Sequence, residues 1–408
     1  MKKRTLSIWL ACCLLALCAF ASSASAAPSP AERYVVFGDS LAIGYEPGMS
    51  VGSTPYGYSD RLYEQALIHG RATIANYGIA GLTSSGLKAM LQAVVDGKNV
   101  KGADIQQSLP DPRADQVLAN AATIKSDLAA ATLVTITIGG NDIGSKMIAE
   151  LKDMSDAELE AYSATFMKAY TDNLTSALQN IFTINKNVRI YVADQYSPVP
   201  SFLKAEYAKA QTLKNTFTAT LKKIEQTFRG NGFQVTAVPV AEAFVGSEGT
   251  YTHIAERDIH PNQSGYDKIA ELFAKSIWGD YRTDLARTTP ITVVVGGRTI
   301  ETPHVPALIE GSTFVPLREY AEALGATVGW NDETKTATVS VGGRSVALTM
   351  DSTTITVDGT AKTIDTAPPH AHESNGETKT YIPLRLMAEA LGFDVQYVQQ
   401  SRTAYINP

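Results

Sequence analysis

The sequence predicts an α/β protein, a parallel sheet flanked by helices, followed by a smaller C-terminal α+β repeat domain. Three observations lead there. Between Arg33 and Asp280, short β-branched runs alternate with longer helical patterns, as a parallel sheet covered on both faces requires. Beyond Pro290 that alternation stops, and Val, Thr and Gly with turn dipeptides take over. The same stretch contains an internal repeat, in which FVPLREYAEALGATVGW from Phe314 matches YIPLRLMAEALGFDVQY from Tyr381, and repetition of this kind marks a repeated structural unit.

The strands expected in the first half are Tyr34 to Phe37, Thr73 to Tyr77, Leu133 to Ile138, Arg189 to Ala193 and Phe233 to Val238. Helices are expected over Ser59 to His69, Ser84 to Val94, Ala114 to Ala130, within Asp156 to Ile181, and over Lys204 to Arg229. Pro261 and Gly265 lead into a final helix reaching about Ile277. Each copy of the later repeat is expected to give a strand end, a short helix stopped by Gly325 or Gly392, and a further strand.

The N-terminus has Lys2, Lys3 and Arg4, an apolar stretch from Ile8 to Phe20, and the exit Ala24-Ser25-Ala26. That pattern predicts a secretory signal over 1–26. A bulky Leu17 before Cys18 fits a lipoprotein cleavage site poorly. All three cysteines lie in this segment, so the exported chain would carry no thiol and no disulfide. Cleavage removes three cations and no anion, taking the formal net charge from −6 to −9. An acidic surface of this kind argues against nucleic acid as a partner. No other apolar run reaches the ~20 residues of a membrane span, so no integral membrane segment is expected after signal removal. The remaining length suggests two domains, with boundaries at 27–280 and 291–408 and a Thr- and Arg-rich linker at 281–290.

Four short blocks occur in an order that assembles one site: FGDSL around Ser40, GLTS from Gly81, GGND with Asn141, and DIHPN with His260. They supply a hydroxyl nucleophile, oxyanion donors and an imidazole base, the minimum set for acyl transfer. Ser40, Gly81 and Asn141 follow the first three expected strands, and in open sheets functional groups gather at those carboxyl ends. Taken singly the blocks are weak. A Gly-Asp-Ser sequence is usually an ordinary turn, a loop histidine is usually a surface residue, and Gly81 and Asn141 also suit turns. Asp142 is expected to stabilise its loop rather than to take part in chemistry.

Jointly these blocks resemble the SGNH, or GDSL, serine hydrolase family over the stretch from Arg33 to Asp280, including Gly44-Tyr45 and the run NYGIAGLTS from Asn76. The resemblance implies a flavodoxin-like sheet, with Ser40 as nucleophile, His260 as general base, and the Ser40 and Gly81 backbone N–H groups with the Asn141 amide as the oxyanion hole. One departure concerns the acid. The family places it three residues before the histidine, where this chain has Arg257, and Asp258 lies two before. Asp258 is the first candidate to orient His260, with Glu256 or a backbone carbonyl as alternatives. No metal or organic cofactor is expected. The insertion from Asp96 to Arg113 and the loop from Ser197 to Phe202 are expected to shape the acyl or leaving-group pocket.

The region from Ile291 to Pro408 resembles the N-terminal domain of copper amine oxidases, a stalk domain in secreted bacterial proteins, through its VPLR and AEALG runs with Trp330 and Tyr397 at matching places. The resemblance implies an accessory module without oxidase activity. His370-Ala-His372-Glu373 is expected to be a solvated loop rather than a metal site. The sequence therefore predicts a secreted, cell-wall associated or free, esterase or lipase acting on a small ester, lipid or acylated glycan, with the C-terminal module meeting a cell-wall or other surface polymer. A polysaccharide O-acetyl esterase and a noncatalytic surface-binding protein with a degenerate hydrolase scaffold are the alternatives.

Overall fold

Tyr34, Val36, Val35 and Phe37 alternate along one strand and bury themselves in two different hydrophobic clusters, as a strand covered on both faces must. The structure, a computed structural model, describes residues 31–50, 52–143, 150–283 and 291–408. The expected signal, 1–26, and residues 284–290 of the expected linker lie outside the described residues.

In chain order the first half contains β1 (Glu32–Gly38), α1 (Tyr58–His69), β2 (Ala72–Asn76), α2 (Ser84–Asp96), α3 (Gly102–Ile105), α4 (Ala114–Leu118), α5 (Ala121–Ala130), β3 (Leu133–Thr137), α6 (Asp156–Ile184), β4 (Arg189–Ala193), α7 (Lys204–Gly230), β5 (Val235–Val238), α8 (Val240–Phe244), α9 (Glu248–Tyr251) and α10 (Gln263–Ile277). The five strands form a parallel sheet in the order β2-β1-β3-β4-β5. Val134 and Ile136 of the central β3 face the cluster built with α2, α5, α6 and α7, and Leu133 faces the cluster built with α1, α8 and α10. Thr135 is also buried, and its hydroxyl is satisfied by Tyr34 Oη at 2.7 Å. All five expected strands are present. Their ends differ by one or two residues at β1, β2, β3 and β5; β5 begins at Val235, and Phe233 packs on Phe182, ring centroids 4.4 Å apart.

One helix expectation is corrected. The stretch Ala114 to Ala130 is two helices, broken where the Asn120 side chain accepts the Thr123 N–H at 3.0 Å and caps α5. Asparagine favours such a cap over a helix interior because its side chain competes for backbone groups.

The second half contains β6 (Thr292–Val295), β7 (Arg298–Thr299), β8 (Ala307–Ile309), β9 (Ser312–Pro316), α11 (Leu317–Ala323), β10 (Thr327–Asn331), β11 (Thr336–Val341), β12 (Arg344–Thr349), β13 (Thr354–Val357), β14 (Thr360–Thr363), β15 (His370–Ser374), β16 (Glu377–Pro383), α12 (Leu384–Ala390), β17 (Asp394–Val398) and β18 (Thr403–Asn407). The sequence repeat becomes β9-α11-β10 and β16-α12-β17, and the copies meet through antiparallel pairing of Val315 with Ile382. Gly325 and Gly392, at φ +72° and +94°, end the two helices, in the left-handed conformation that glycine adopts most readily. The expected solvated loop at His370-Ala-His372 is instead β15. Its two rings point to one side, where His370 meets Phe314 at 5.1 Å and His372 meets Tyr381 at 4.4 Å, and this aromatic packing favours a strand with period two. None of the described helices is long and apolar enough to cross a membrane.

Candidate active site

The turn after β1 is held from several directions. Gly38 has φ +141°, and a Cβ there would lie 2.3 Å from the Thr137 carbonyl oxygen, so only glycine lets the strand pass β3 this closely. Asp39 N–H donates to Thr137 O at 3.0 Å, and Tyr45 N–H donates back to Ser40 O at 3.0 Å. Asn76, in the second strand, donates to Ala42 O at 2.7 Å and fastens the same turn from the side. Ser40 is thereby fixed at the carboxyl edge of the sheet.

His260 arrives from the other end of the fold on the loop before α10. His253 N–H donates to His260 O at 3.0 Å, and Tyr196 Oη donates to Ile259 O at 2.7 Å. The Tyr45 ring stands edge-on to the imidazole at 4.6 Å. His260 Nε2 lies 2.9 Å from Ser40 Oγ, and Nδ1 lies 2.6 Å from Asp258 Oδ1. The same Asp258 oxygen accepts the His260 backbone N–H at 2.8 Å. Arg257, at φ +64°, makes the tight bend before it. Glu256 points elsewhere, its carboxylate 3.4 Å from His253 Nδ1. With the Nδ1 proton held by Asp258, Nε2 is left as an acceptor for the serine hydroxyl.

Gly81 and Asn141 stand at the neighbouring strand ends. Gly81 has φ +78°, and an added Cβ would strike Pro110. Among the described residues, the backbone N–H groups of Ser40 and Gly81 donate to no protein acceptor. Asn141 donates one amide hydrogen to Leu82 O at 3.0 Å, which orients the amide and leaves its second hydrogen uncommitted among the described residues. Asp142 bonds the Ser84 N–H at 2.8 Å and its hydroxyl, and so ties its loop to the start of α2. Burial raises its carboxyl pKa.

Several supports have no local sequence signal. Gln106 donates to Gly81 O at 2.8 Å while accepting the Thr83 N–H at 2.8 Å, and Asp111 accepts the Ala80 N–H at 2.9 Å. His253 lies 3.0 Å from the Glu46 carboxylate, joining the His260 loop to the turn after Ser40. Asp39, next to Ser40, is buried, and burial pushes its carboxyl up to about 7. Its Oδ1 accepts both the Leu41 N–H and the Thr137 hydroxyl at 3.1 Å.

Two clefts meet at Ser40, Asn141 and His260. One is small, about 140 Å³, and walled by apolar side chains together with Ser197, Pro198 and Val199. The other is broad, about 580 Å³, and includes Gly81, Pro110, Asp111, Pro112 and Arg113. Both loops expected to shape the site thus reach it, although Phe202 itself is 77% exposed.

Solved structures similar to part of the chain include a lipase from a goat rumen metagenome, 20% identical, covering 59% of this chain and 94% of that one, with TM-score 0.42. A family 3 carbohydrate esterase of Clostridium thermocellum is 20% identical over 60% of this chain and 94% of its own, with TM-score 0.36. An acetylxylan esterase of Geobacillus stearothermophilus is 17% identical over 63% and 98%, with TM-score 0.38. No curated protein matches the chain. Residues 294–406 match the copper amine oxidase N-terminal domain. Residues 36–268, more than half of the chain, match the GDSL-like Lipase/Acylhydrolase family, and the chain belongs to that family.

Proposed function

We propose that this carboxylic ester hydrolase is an exported serine esterase working through an acyl-enzyme on Ser40. The observation that carries the reading is the continuous relay from Ser40 Oγ through His260 to Asp258, with contacts of 2.9 and 2.6 Å. Ser40 Oγ attacks the ester carbonyl carbon as His260 Nε2 takes its proton. The carbonyl oxygen becomes an oxyanion facing the Ser40 and Gly81 N–H groups and the uncommitted Asn141 amide hydrogen, donors of a kind worth about 3 kcal/mol each. Collapse breaks the bond to the alcohol oxygen, which leaves with the proton from His260. Water, deprotonated by the same imidazole, then attacks the acyl-enzyme and releases the acid.

Hydrolysis of a p-nitrophenyl ester series by the native chain and by Ser40→Ala tests this. The variant is expected to lose about 10⁴-fold or more in kcat, and equal rates in both proteins would refute the serine mechanism. Release of acetate from an acetylated glycan, with little action on free esters, would move the substrate to a polysaccharide.

The division into a catalytic part at 27–280, a linker at 281–290 and a module at 291–408 belongs to the same proposal. So does export, which rests on the N-terminal charge, apolar run and Ala-Ser-Ala exit. The module is proposed to meet a surface polymer. A groove of about 620 Å³ supports this, where Tyr397, 40% exposed, lies beside Arg385, Glu389 and Arg402. An aromatic face among convergent polar groups is the lining of many ligand clefts. Full-length protein that stays in the supernatant over purified cell wall at low salt would count against that role.

A further inference from the structure

The two arms of an ester meet different surroundings at Ser40. Ile143, Leu151, Val199, Ala210, Leu213 and Phe217 wall the smaller cleft, and several of them form one apolar cluster between α7 and the loop after β4. Polar groups also border it, each with at least one protein partner. Asp39 Oδ1 accepts two hydrogen bonds, Gln195 donates to Ile138 O at 3.1 Å, and Lys214 Nζ lies 3.1 Å from Glu242. The Ser197 hydroxyl accepts the Val199 N–H at 3.3 Å. A group entering here meets mostly carbon. The larger cleft is mainly apolar as well, but it adds Ser50, Ser53 and the Asp111–Arg113 ion pair, groups that suit a hydroxylated alcohol.

We infer that the smaller cleft is an acyl pocket sized for medium chains, and that the enzyme prefers esters of about six acyl carbons over acetates and over long-chain esters. This rests on the serine esterase reading above. The size argument is direct. An apolar cavity of about 150 Å³ in another protein accommodates benzene, which has roughly six carbons, and this cleft measures about 140 Å³. An acetyl group leaves most of it empty. A dodecanoyl chain exceeds it and must leave its distal carbons in water. Each methylene buried in the pocket is expected to raise kcat/KM about fourfold, until the wall is reached.

The wall residues set where that happens. Ala210 is buried and small, so Ala210→Phe fills the cleft, and Leu213→Ala deepens it. The test uses full-length protein and p-nitrophenyl esters from acetate to dodecanoate, so that the leaving group is constant. The native enzyme is expected to favour hexanoate over acetate by at least about tenfold and to fall off by dodecanoate. In Ala210→Phe the hexanoate-to-acetate ratio should fall about tenfold or more, and in Leu213→Ala the octanoate-to-hexanoate ratio should rise. Ratios within one protein are insensitive to the fraction folded, and Leu213→Ala stands by itself if Ala210→Phe does not fold. A native profile highest at acetate, one still rising at dodecanoate, or unchanged ratios in the variants would overturn the assignment while leaving the serine mechanism intact. No hydrolysis of any ester by the native chain would overturn the esterase reading, and this one with it.

Discussion

Asp39, beside Ser40, shows how burial raises a carboxyl. Its carboxyl rises from an ordinary 3.8 to about 7, chiefly through loss of solvent, while the Leu41 N–H and Thr137 hydroxyl pull the other way. Because the folded pKa is raised, the folded state holds its proton more tightly than the unfolded chain does. The stability linked to that proton is complete below about pH 4 and is lost as pH rises through about 7. A gap of about three units corresponds to about 4 kcal/mol as an upper order of magnitude. Asp39→Asn keeps an oxygen for both bonds, since each is accepted by Oδ1, and cannot ionise. Thermal unfolding of the two proteins should therefore differ with pH: Asp39→Asn is expected to be more stable than the native chain at pH 8, by a smaller margin at pH 5, and about equal to it below about pH 4. A stability difference independent of pH would show that Asp39 does not titrate in this range.

At the scale of elements, the loop from Thr252 to Pro261 makes a two-residue acid spacing work. Arg257 turns through φ +64°, and Asp258 Oδ1 then gathers both the His260 backbone N–H and Nδ1. A longer spacing is unnecessary when the carboxylate folds back on its own chain in this way. Asp258→Asn is expected to lower kcat by about 10⁴-fold, because the amide no longer holds the Nδ1–H tautomer, whereas Glu256→Gln should leave kcat within about threefold. Ester kinetics on the two variants decide between the carboxylates, and the opposite ranking would make Glu256 the orienting group. The sheet was legible because β-branched runs alternate with helical ones, and the Ser40, Gly81 and Asn141 blocks were legible because each lies beside a strand end. The break at Asn120 was not, since alanines on both sides continue a helical pattern and only the cap bond to Thr123 reveals the interruption. Gln106, Tyr196 and His253 were equally hidden, because their partners at the site lie in other segments of the chain: Gly81, Ile259 and Glu46.

Across the whole molecule, residues 31–408 make one compact unit, and the sequence carried no sign of how its two halves meet. The contact is the face of α1 against the C-terminal strands. Ala66, Leu67, Ile68 and Ala72 pack with Val294, Val398 and Tyr405. Tyr405 Oη donates to the buried Glu64 carboxylate at 2.6 Å, and Asn407 donates to Leu67 O at 2.8 Å and Gly70 O at 2.9 Å. The last two bonds satisfy carbonyls at the end of α1 that the helix itself cannot pair. Gly297 approaches so closely that a Cβ would lie 2.4 Å from Ile68 O. A module that was only a tether would leave the helix face polar, and here that face is apolar and covered. Asn407→Ala strands two carbonyls at this contact and should destabilise the full chain by about 1–3 kcal/mol, read as a lower unfolding midpoint in denaturant. Because Asn407 is remote from Ser40 in this fold, kcat/KM on a small ester should stay within about twofold. A chain ending at Asp280 uncovers Leu67 and Ile68 and should unfold at lower denaturant than the full chain. Separate unfolding transitions, with the catalytic half as stable alone as in the full chain, would show instead that the two halves are independent bodies.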